Sequence, residues 1–356
     1  MSSQSYDFLI LGQGLAGSIL AWHLINAKKR VMVIDDGHQS SSSIVAAGMV
    51  NPVAGRSLNS PPRTADWLKS AHAFYAHLGK FYQQAYFHPV DMQRIFQSDT
   101  HIRYYQRQRE NNPDSPYIGK TLKPKEVDTG IQAPYGAFEQ TQTGYLDMPQ
   151  ILADLKDWLL EKQALINHSF TYDAIKVTQE SIQFGDIEAQ KLIFCEGYRV
   201  IENPWFRQLP FQPDKGEMLR LKTSKTICTH IANGVQWMIP LANGDYRLGA
   251  THEHEDINCQ ATDHGRAELL AGLENLLKDN SGINVTEHNA GVRPATQDRQ
   301  PFIGAHPRLP GLHIFNGFGG RGALTIPWFS ERYAEHLLNH AKLPSEADVI
   351  RYQDIL

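Results

Sequence analysis

The chain has 356 residues, 41% hydrophobic and 20% charged, which suits a globular protein with a large buried core and excludes disordered and fibrous classes. A formal net charge of -4 gives no general pull toward nucleic acid or an anionic membrane. Cys195, Cys228 and Cys259 are far apart and form no CxxC pair, so neither a disulfide framework nor a thiolate metal site is indicated, and a reduced, cytoplasmic protein is expected.

The apolar stretch from Phe8 to Ile25 lacks a basic segment before it and is broken by Gln13, three glycines and His23. It therefore reads as strand, turn and helix, not as a signal or membrane span. Phe8 to Leu11 is a strand buried on both faces, Ser18 to Ala27 a helix, and Val31 to Ile34 a second strand ending at Asp35 and Asp36. This βαβ opening requires a parallel sheet. Between the first strand and the helix, Gly12-Gln13-Gly14-Leu15-Ala16-Gly17 fits GxGxxG. The first glycine permits the tight turn, the second admits a pyrophosphate to the backbone, and Gly17 lets helix and strand pack closely. Asp35 stands about 20 residues on, where a carboxylate binds ribose hydroxyls. The alternative is a purely structural glycine turn. An acidic residue there disfavours a 2′-phosphate and leaves NAD and FAD open.

A short serine run, 40–43, follows. Asp66 to Tyr86 is helical, with Trp67, Phe74, Tyr75, Phe81 and Tyr82 expected to pack its inner face. The region 87–145 is broken by Pro113, Pro116, Pro124 and Pro134. Pro149 to Ala164 is a helix with proline in its first turn, and Lys191 to Phe194 a strand running into Cys195-Glu196-Gly197. Short strands fill 212–256, with a hairpin turn at Asn243-Gly244-Asp245. His264 to Lys278 is an amphipathic helix, Leu312 to Phe315 a strand, and Ile326 to His340 a helix after a glycine-rich loop. His252 and His254 have metal-ligand side chains, but no further cluster completes a coordination shell, so a polar loop is expected. A nucleotide-binding unit built from 1–86, 146–210 and 291–356 would interleave with a second unit, 87–145 and 211–290.

Five segments carry a further signal: Ala46-Ala47-Gly48-Met49; Lys215-Gly216-Glu217-Met218; Trp237-Met238-Ile239-Pro240 with Gly249-Ala250-Thr251; Ala290 to Gly304, containing Gly291-Val292-Arg293-Pro294; and Asn316 to Leu324. In this order and spacing they resemble the D-amino-acid oxidase family of flavoproteins, particularly its glycine oxidase and sarcosine oxidase branch. The C-terminal loop also resembles the oxidase half of the bifunctional enzyme that modifies wobble uridine in tRNA. The resemblance covers nearly the whole chain, most weakly 87–145.

The resemblance implies an α/β fold, with a Rossmann-like FAD-binding domain on a parallel sheet and an interleaved α+β substrate domain on a mixed or antiparallel sheet. It implies FAD at Gly12, Gly14, Leu15, Ala16 and Gly17, with Asp35 and Asp36 at the adenosine ribose. Ser42, Ser43, Ala47, Gly48 and Met49 would run toward the ring, Tyr172 would lie near adenine, and Gly197 matches the family glycine. Phe318, Gly319, Gly320, Arg321, Gly322, Ala323 and Leu324 would wrap the flavin's pyrimidine side. With no cysteine after Cys259, the FAD would be noncovalent.

Arg293 matches the arginine that holds a substrate carboxylate, a task suited to a planar fork of donors; the alternative is a structural ion pair, for instance with Asp298. Trp237 stands where relatives place a pocket tyrosine, and Gly320 where glycine oxidase has an arginine, so both departures bear on the substrate. The implied reaction is hydride transfer from the carbon of an amino acid or secondary amine carboxylate to flavin, giving an imine that hydrolyses, with O2 or another acceptor taking the electrons. The flavin carries that chemistry and no side-chain base is named. An aminomethyl group of modified tRNA as substrate, or flavin binding without turnover, are the alternatives.

Overall fold

The computed structural model describes residues 4–37, 41–53, 55, 58–178 and 181–356. The chain divides into two compact units, one of Met1–Val45, Met148–Asp214 and Val292–Leu356, the other of Ala46–Asp147 and Lys215–Gly291.

The first unit is built on β1 (Gln4–Leu11), α1 (Leu15–Asn26) and β2 (Val31–Asp35). Parallel pairing extends from β1 to Ile187–Phe194 on one side and through β2 to Leu165–Asn167 on the other. Leu309–Asn316 adds a further parallel strand beside Ile187–Phe194, and Phe302–His306 pairs antiparallel with it. Leu9, Leu11, Met32, Ile34, Leu192, Phe194, Leu312 and Ile314 form one buried cluster. Ile10 and Ile193 point to the opposite face by strand alternation and are also buried, which is why these strands read as unbroken apolar runs. α1 buries residues all round its circumference. It packs against the helices Gly322–Asn339 and Met148–Glu161, with Trp22 and Trp158 ring centroids 4.5 Å apart.

The second unit holds an eight-stranded sheet in the order Asn284–Arg293, Asp214–Lys222, Tyr246–Gly249, Trp237–Pro240, Ile231–Asn233, Met92–Ile95, Ala137–Gln140 and Ile118–Leu122. Most of its pairs are antiparallel, while Ile231–Asn233 runs parallel to Met92–Ile95. The helix Asp263–Leu276 sets Leu269, Leu273 and Leu276 into the sheet's apolar cluster. A small sheet joins Met49–Val50, Gly144–Leu146 and Phe87–Pro89.

Residues 46–86, expected with the nucleotide-binding unit, fall in the second unit. The strand Met49–Val50 pairs with Gly144–Leu146, and the ring of His72 in the helix Thr64–Tyr82 packs tilted against Phe87, with centroids 4.8 Å apart. Trp67, Phe74 and Tyr75 of that helix are buried, as its pattern predicts, but Phe81 is exposed. Of the serine run, Ser40 lies outside the described residues, while Ser42 opens the short helix Ser42–Val45. Among the described residues no helix is long and apolar enough to cross a membrane.

Candidate functional site

Local sterics fix the glycine turn. Gly12 has φ +105°, and a Cβ there would lie 2.5 Å from the carbonyl oxygen of Cys195. A Cβ on Gly17 would overlap the carbonyl oxygen of Gly12. Gly14 is the N-cap of α1 and supplies no side-chain cap. Ser43 comes from outside the turn instead, accepting the Leu15 N–H on Oγ at 3.2 Å. With the Leu15 N–H taken by Ser43, the next two residues of the first turn, Ala16 and Gly17, bring backbone N–H groups to the positive end of α1, an arrangement that receives a phosphate. Asp35 accepts the Gln13 N–H at 2.8 Å and the Gly37 N–H at 2.7 Å, so its carboxylate holds the turn and faces the same end of the sheet. Glycines at three spaced positions, a helix N-terminus and an anchored carboxylate fit the diphosphate and ribose of FAD.

A second cluster stands beside this turn. The Tyr172 hydroxyl donates to Glu196 Oε2 at 2.9 Å, and Asn203 Nδ2 donates to Oε1 at 2.7 Å. Arg199 pairs with Asp36 at 2.8 Å. Asn316 Nδ2 donates to the Gly197 carbonyl at 2.8 Å. Burial pushes the Glu196 carboxyl up to about 7, against the lowering effect of its two hydrogen bonds and of Arg199; burial first, then Glu196, raises the Tyr172 phenol. Sequence reasoning left Glu196 without a role. The signal it offered was a charged residue where a buried strand meets a glycine.

The C-terminal loop is partly helical. Phe318 is buried, Gly319 to Arg321 form a 3-10 turn, and Gly322, Ala323 and Leu324 open the helix Gly322–Asn339, whose N-terminus has no side-chain cap. Ile326, expected to begin that helix, lies in its second turn. The Gly319 N–H donates to the Pro294 carbonyl at 3.1 Å, which ties the loop to the Arg293 segment. A Cβ on Gly320 would lie 3.7 Å from Arg293 Cδ, so the glycine leaves the space over the arginine stem open. Arg321 points elsewhere, donating to the Arg299 carbonyl at 3.0 Å.

Arg293 Nη1 donates to Asp214 Oδ2 at 2.7 Å, and 21% of the arginine side chain stays exposed. The ion pair weighed in the sequence, with Asp298, is replaced by this one. Asp298 is taken by Arg351 at 3.2 Å and by the Gln300 N–H at 2.9 Å.

In the second unit, Trp237 lies across its sheet from Gly249, where a Cβ would be 2.6 Å from the indole ring. Trp237, Ala47 and Met49 pack on one buried cluster of Met92, Tyr145, Ile231 and Ile239. The Ala47 carbonyl accepts from Arg247 at 3.1 Å. Gly48 has φ +68°, and a Cβ there would collide with the carbonyl oxygen of Leu146. No group of three or more His, Cys, Asp or Glu side chains among the described residues is arranged to hold a metal ion.

The profile of the family described as DAO, FAD dependent oxidoreductase, matches residues 7–336. The glycine oxidase of Bacillus licheniformis is 22% identical, over 94% of this chain and 94% of its own. That of Pseudomonas aeruginosa is 28% identical over 44% of this chain, and the match spans only 43% of its length. The tRNA 5-methylaminomethyl-2-thiouridine biosynthesis bifunctional protein MnmC of Legionella pneumophila is 24% identical over 61% of this chain, which spans 36% of that protein. In fold, the crystal structure of glycine oxidase from Geobacillus kaustophilus superposes with a TM-score of 0.83 at 17% identity, covering 95% of both chains.

Proposed function

Because this chain belongs to the DAO family of FAD dependent oxidoreductases, we propose that it oxidises the C–N bond of a small amine bearing a carboxylate, an amino acid or secondary amino acid. The two-electron oxidation, which leaves an imine that water hydrolyses, is the chemistry that bound FAD supplies. The chain's own residues bind and orient. Gly12, Gly14, Leu15, Ala16 and Gly17 would form the turn around the diphosphate, which the Ala16 and Gly17 N–H groups and the α1 dipole would hold. Asp35 would take the ribose hydroxyls, while Asp36 and Tyr172, locked by Arg199 and Glu196, would shape the adenosine end. The N–H groups at the start of Gly322–Asn339 would offset negative charge on the flavin's pyrimidine side. A wall role for Trp237, and a cofactor-lining role for Ala47, Gly48 and Met49, belong to the same proposal.

The observation that carries this reading is Arg293. It is part-exposed, its Nη1 donates to Asp214, and a Cβ on the neighbouring Gly320 would meet its stem at 3.7 Å. Such a fork grips a carboxylate through two parallel hydrogen bonds and fixes the adjacent C–H. Arg293→Lys keeps the charge and loses the fork. Its apparent substrate affinity should fall by roughly tenfold or more, with kcat less affected. An unchanged KM would remove the anchoring role.

A second reading, that the amine is carried on a modified tRNA, is favoured by the MnmC match. It requires tRNA binding that weakens steeply with salt. Binding that is weak and indifferent to salt would count against it.

A further inference from the structure

The first unit carries a cleft of about 310 Å³ walled by Pro204, Trp205, Leu309 and Leu356, with Gln208, His306 and Arg308 as its polar groups. His306 and Leu309 pair at the turn end of the hairpin that joins Phe302–His306 to Leu309–Asn316. The other end of the hairpin, Asn316, is the one tied to Gly197. Leu309 and Asn316 are the two ends of an extended strand, roughly 23 Å apart. His306 and Leu309 therefore stand well away from the glycine turn.

The polar groups of the cleft offer donors. His306 is 5% exposed, and its Nδ1 accepts the Arg308 N–H at 3.2 Å. An accepting Nδ1 leaves the ring proton on Nε2. Burial first, then Arg308, lowers the pKa of this histidine, which keeps the ring neutral. Among the described residues the Nε2–H meets no protein acceptor, and the exposed Arg308 guanidinium has no ion pair or hydrogen bond. A buried N–H without an acceptor is costly, and one beside an unpaired guanidinium calls for an anion. Next to these donors stands the half-buried Trp205, whose ring packs on Phe194 and Tyr172 at 5.6 and 6.3 Å between centroids. Held in this way, the indole gives the cleft a fixed, flat apolar wall.

We propose that the cleft is a second binding site, for a small aromatic carboxylate whose ring lies against Trp205 and Leu309 and whose carboxylate takes the His306 Nε2–H and the Arg308 fork. Its volume is at the lower end for small-molecule sites, which suits a ligand of one or two rings. An inorganic anion would satisfy the donors and leave the apolar wall wet. A neutral arene would cover the wall and leave the donors unpaired.

The probe is 2-naphthoate, with the neutral 2-naphthamide as its control. Binding to the FAD-loaded protein is measured by equilibrium dialysis, while the visible spectrum of the flavin reports any occupancy beside the ring. The wild type should bind 2-naphthoate saturably and the amide about tenfold more weakly or less. Arg308→Gln, a change at an exposed residue, should weaken 2-naphthoate about tenfold with no change in the flavin spectrum. Trp205→Leu should weaken both ligands by about threefold to tenfold. The cleft's binding should survive Arg293→Lys. Absence of saturable binding, equal affinity for the amide, or equal affinity in Arg308→Gln overturns the proposal. Binding that is lost in Arg293→Lys and kept in Arg308→Gln puts the ligand at the substrate site and overturns it as well. Should Trp205→Leu not fold, the amide and Arg308→Gln still decide.

Discussion

Gly17 sits so close under the first turn that a single methyl group on it would overlap the carbonyl oxygen of Gly12. Both glycines serve one end: α1 must start within a few ångströms of β1 for its N–H groups to reach a diphosphate. Gly17→Ala should therefore push helix from strand, costing about 1–3 kcal/mol of stability by overpacking. The protein should purify with much less FAD. Thermal melting and the flavin-to-protein absorbance ratio check this; full FAD content with an unchanged Tm would contradict the tight-turn account.

Glu196 sets a pH dependence with a definite sign. Its folded-state pKa, raised from the ordinary 4.5 to about 7 by burial, means that the fold favours the protonated carboxyl. The associated stability is fully present below about 4.5 and is lost as pH rises through about 7. The shift corresponds to roughly 3 kcal/mol. In urea unfolding of the FAD-free protein, Glu196→Gln should remove this slope. Its stability relative to wild type should rise between these two values and level off above them; parallel curves would show that Glu196 does not titrate there.

Gly249 and Trp237 form a size-matched pair in the eight-stranded sheet of the second unit, with room for no Cβ at 249. Gly249→Ala should displace the indole and destabilise the protein by about 1–3 kcal/mol. Trp237→Val should relieve most of that cost in the double variant. A double-mutant cycle measures the coupling, and strict additivity would mean that the two side chains do not compete for space.

Arg94 is a buried cation held by backbone carbonyls. Nη1 donates to Val53 at 3.2 Å and Nη2 to Gly55 at 2.6 Å, and burial lowers its pKa to about 10. A lysine cannot span both acceptors, so Arg94→Lys should cost about 1–3 kcal/mol through the unsatisfied carbonyl. Protease cleavage near residue 55 should accelerate. Cleavage at the wild-type rate would remove Arg94 as the anchor of that segment.

The parts of this fold that were legible in the sequence are those where local chemistry leaves one solution. The GxGxxG turn between two buried strands is one, since Gly12 and Gly17 each answer a collision named above. The Asn243-Gly244-Asp245 turn is another, joining Trp237–Pro240 to Tyr246–Gly249 with Gly244 at φ +87°. The helix Asp99–Asn111 was not legible: it buries only Tyr105, so it carries almost no apolar stripe, and its one clear signal is the Ser98 cap on the His101 N–H. In the candidate site the sequence identified Arg293 by its segment but not Asp214, 79 residues away. Likewise it placed Tyr172 near the adenosine end without the Glu196 that holds it. Partnerships of this kind depend on strand order in space, which periodicity along the chain does not encode.

The central claim, that FAD in this protein takes electrons from an amino acid, is tested most directly by mixing the FAD-loaded protein anaerobically with a panel of D- and L-amino acids, glycine and N-methylated amino acids. The visible absorbance of the flavin should bleach with at least one of them, and bleaching should slow markedly in Arg293→Lys. A flavin that stays oxidised with every member of the panel would contradict the account.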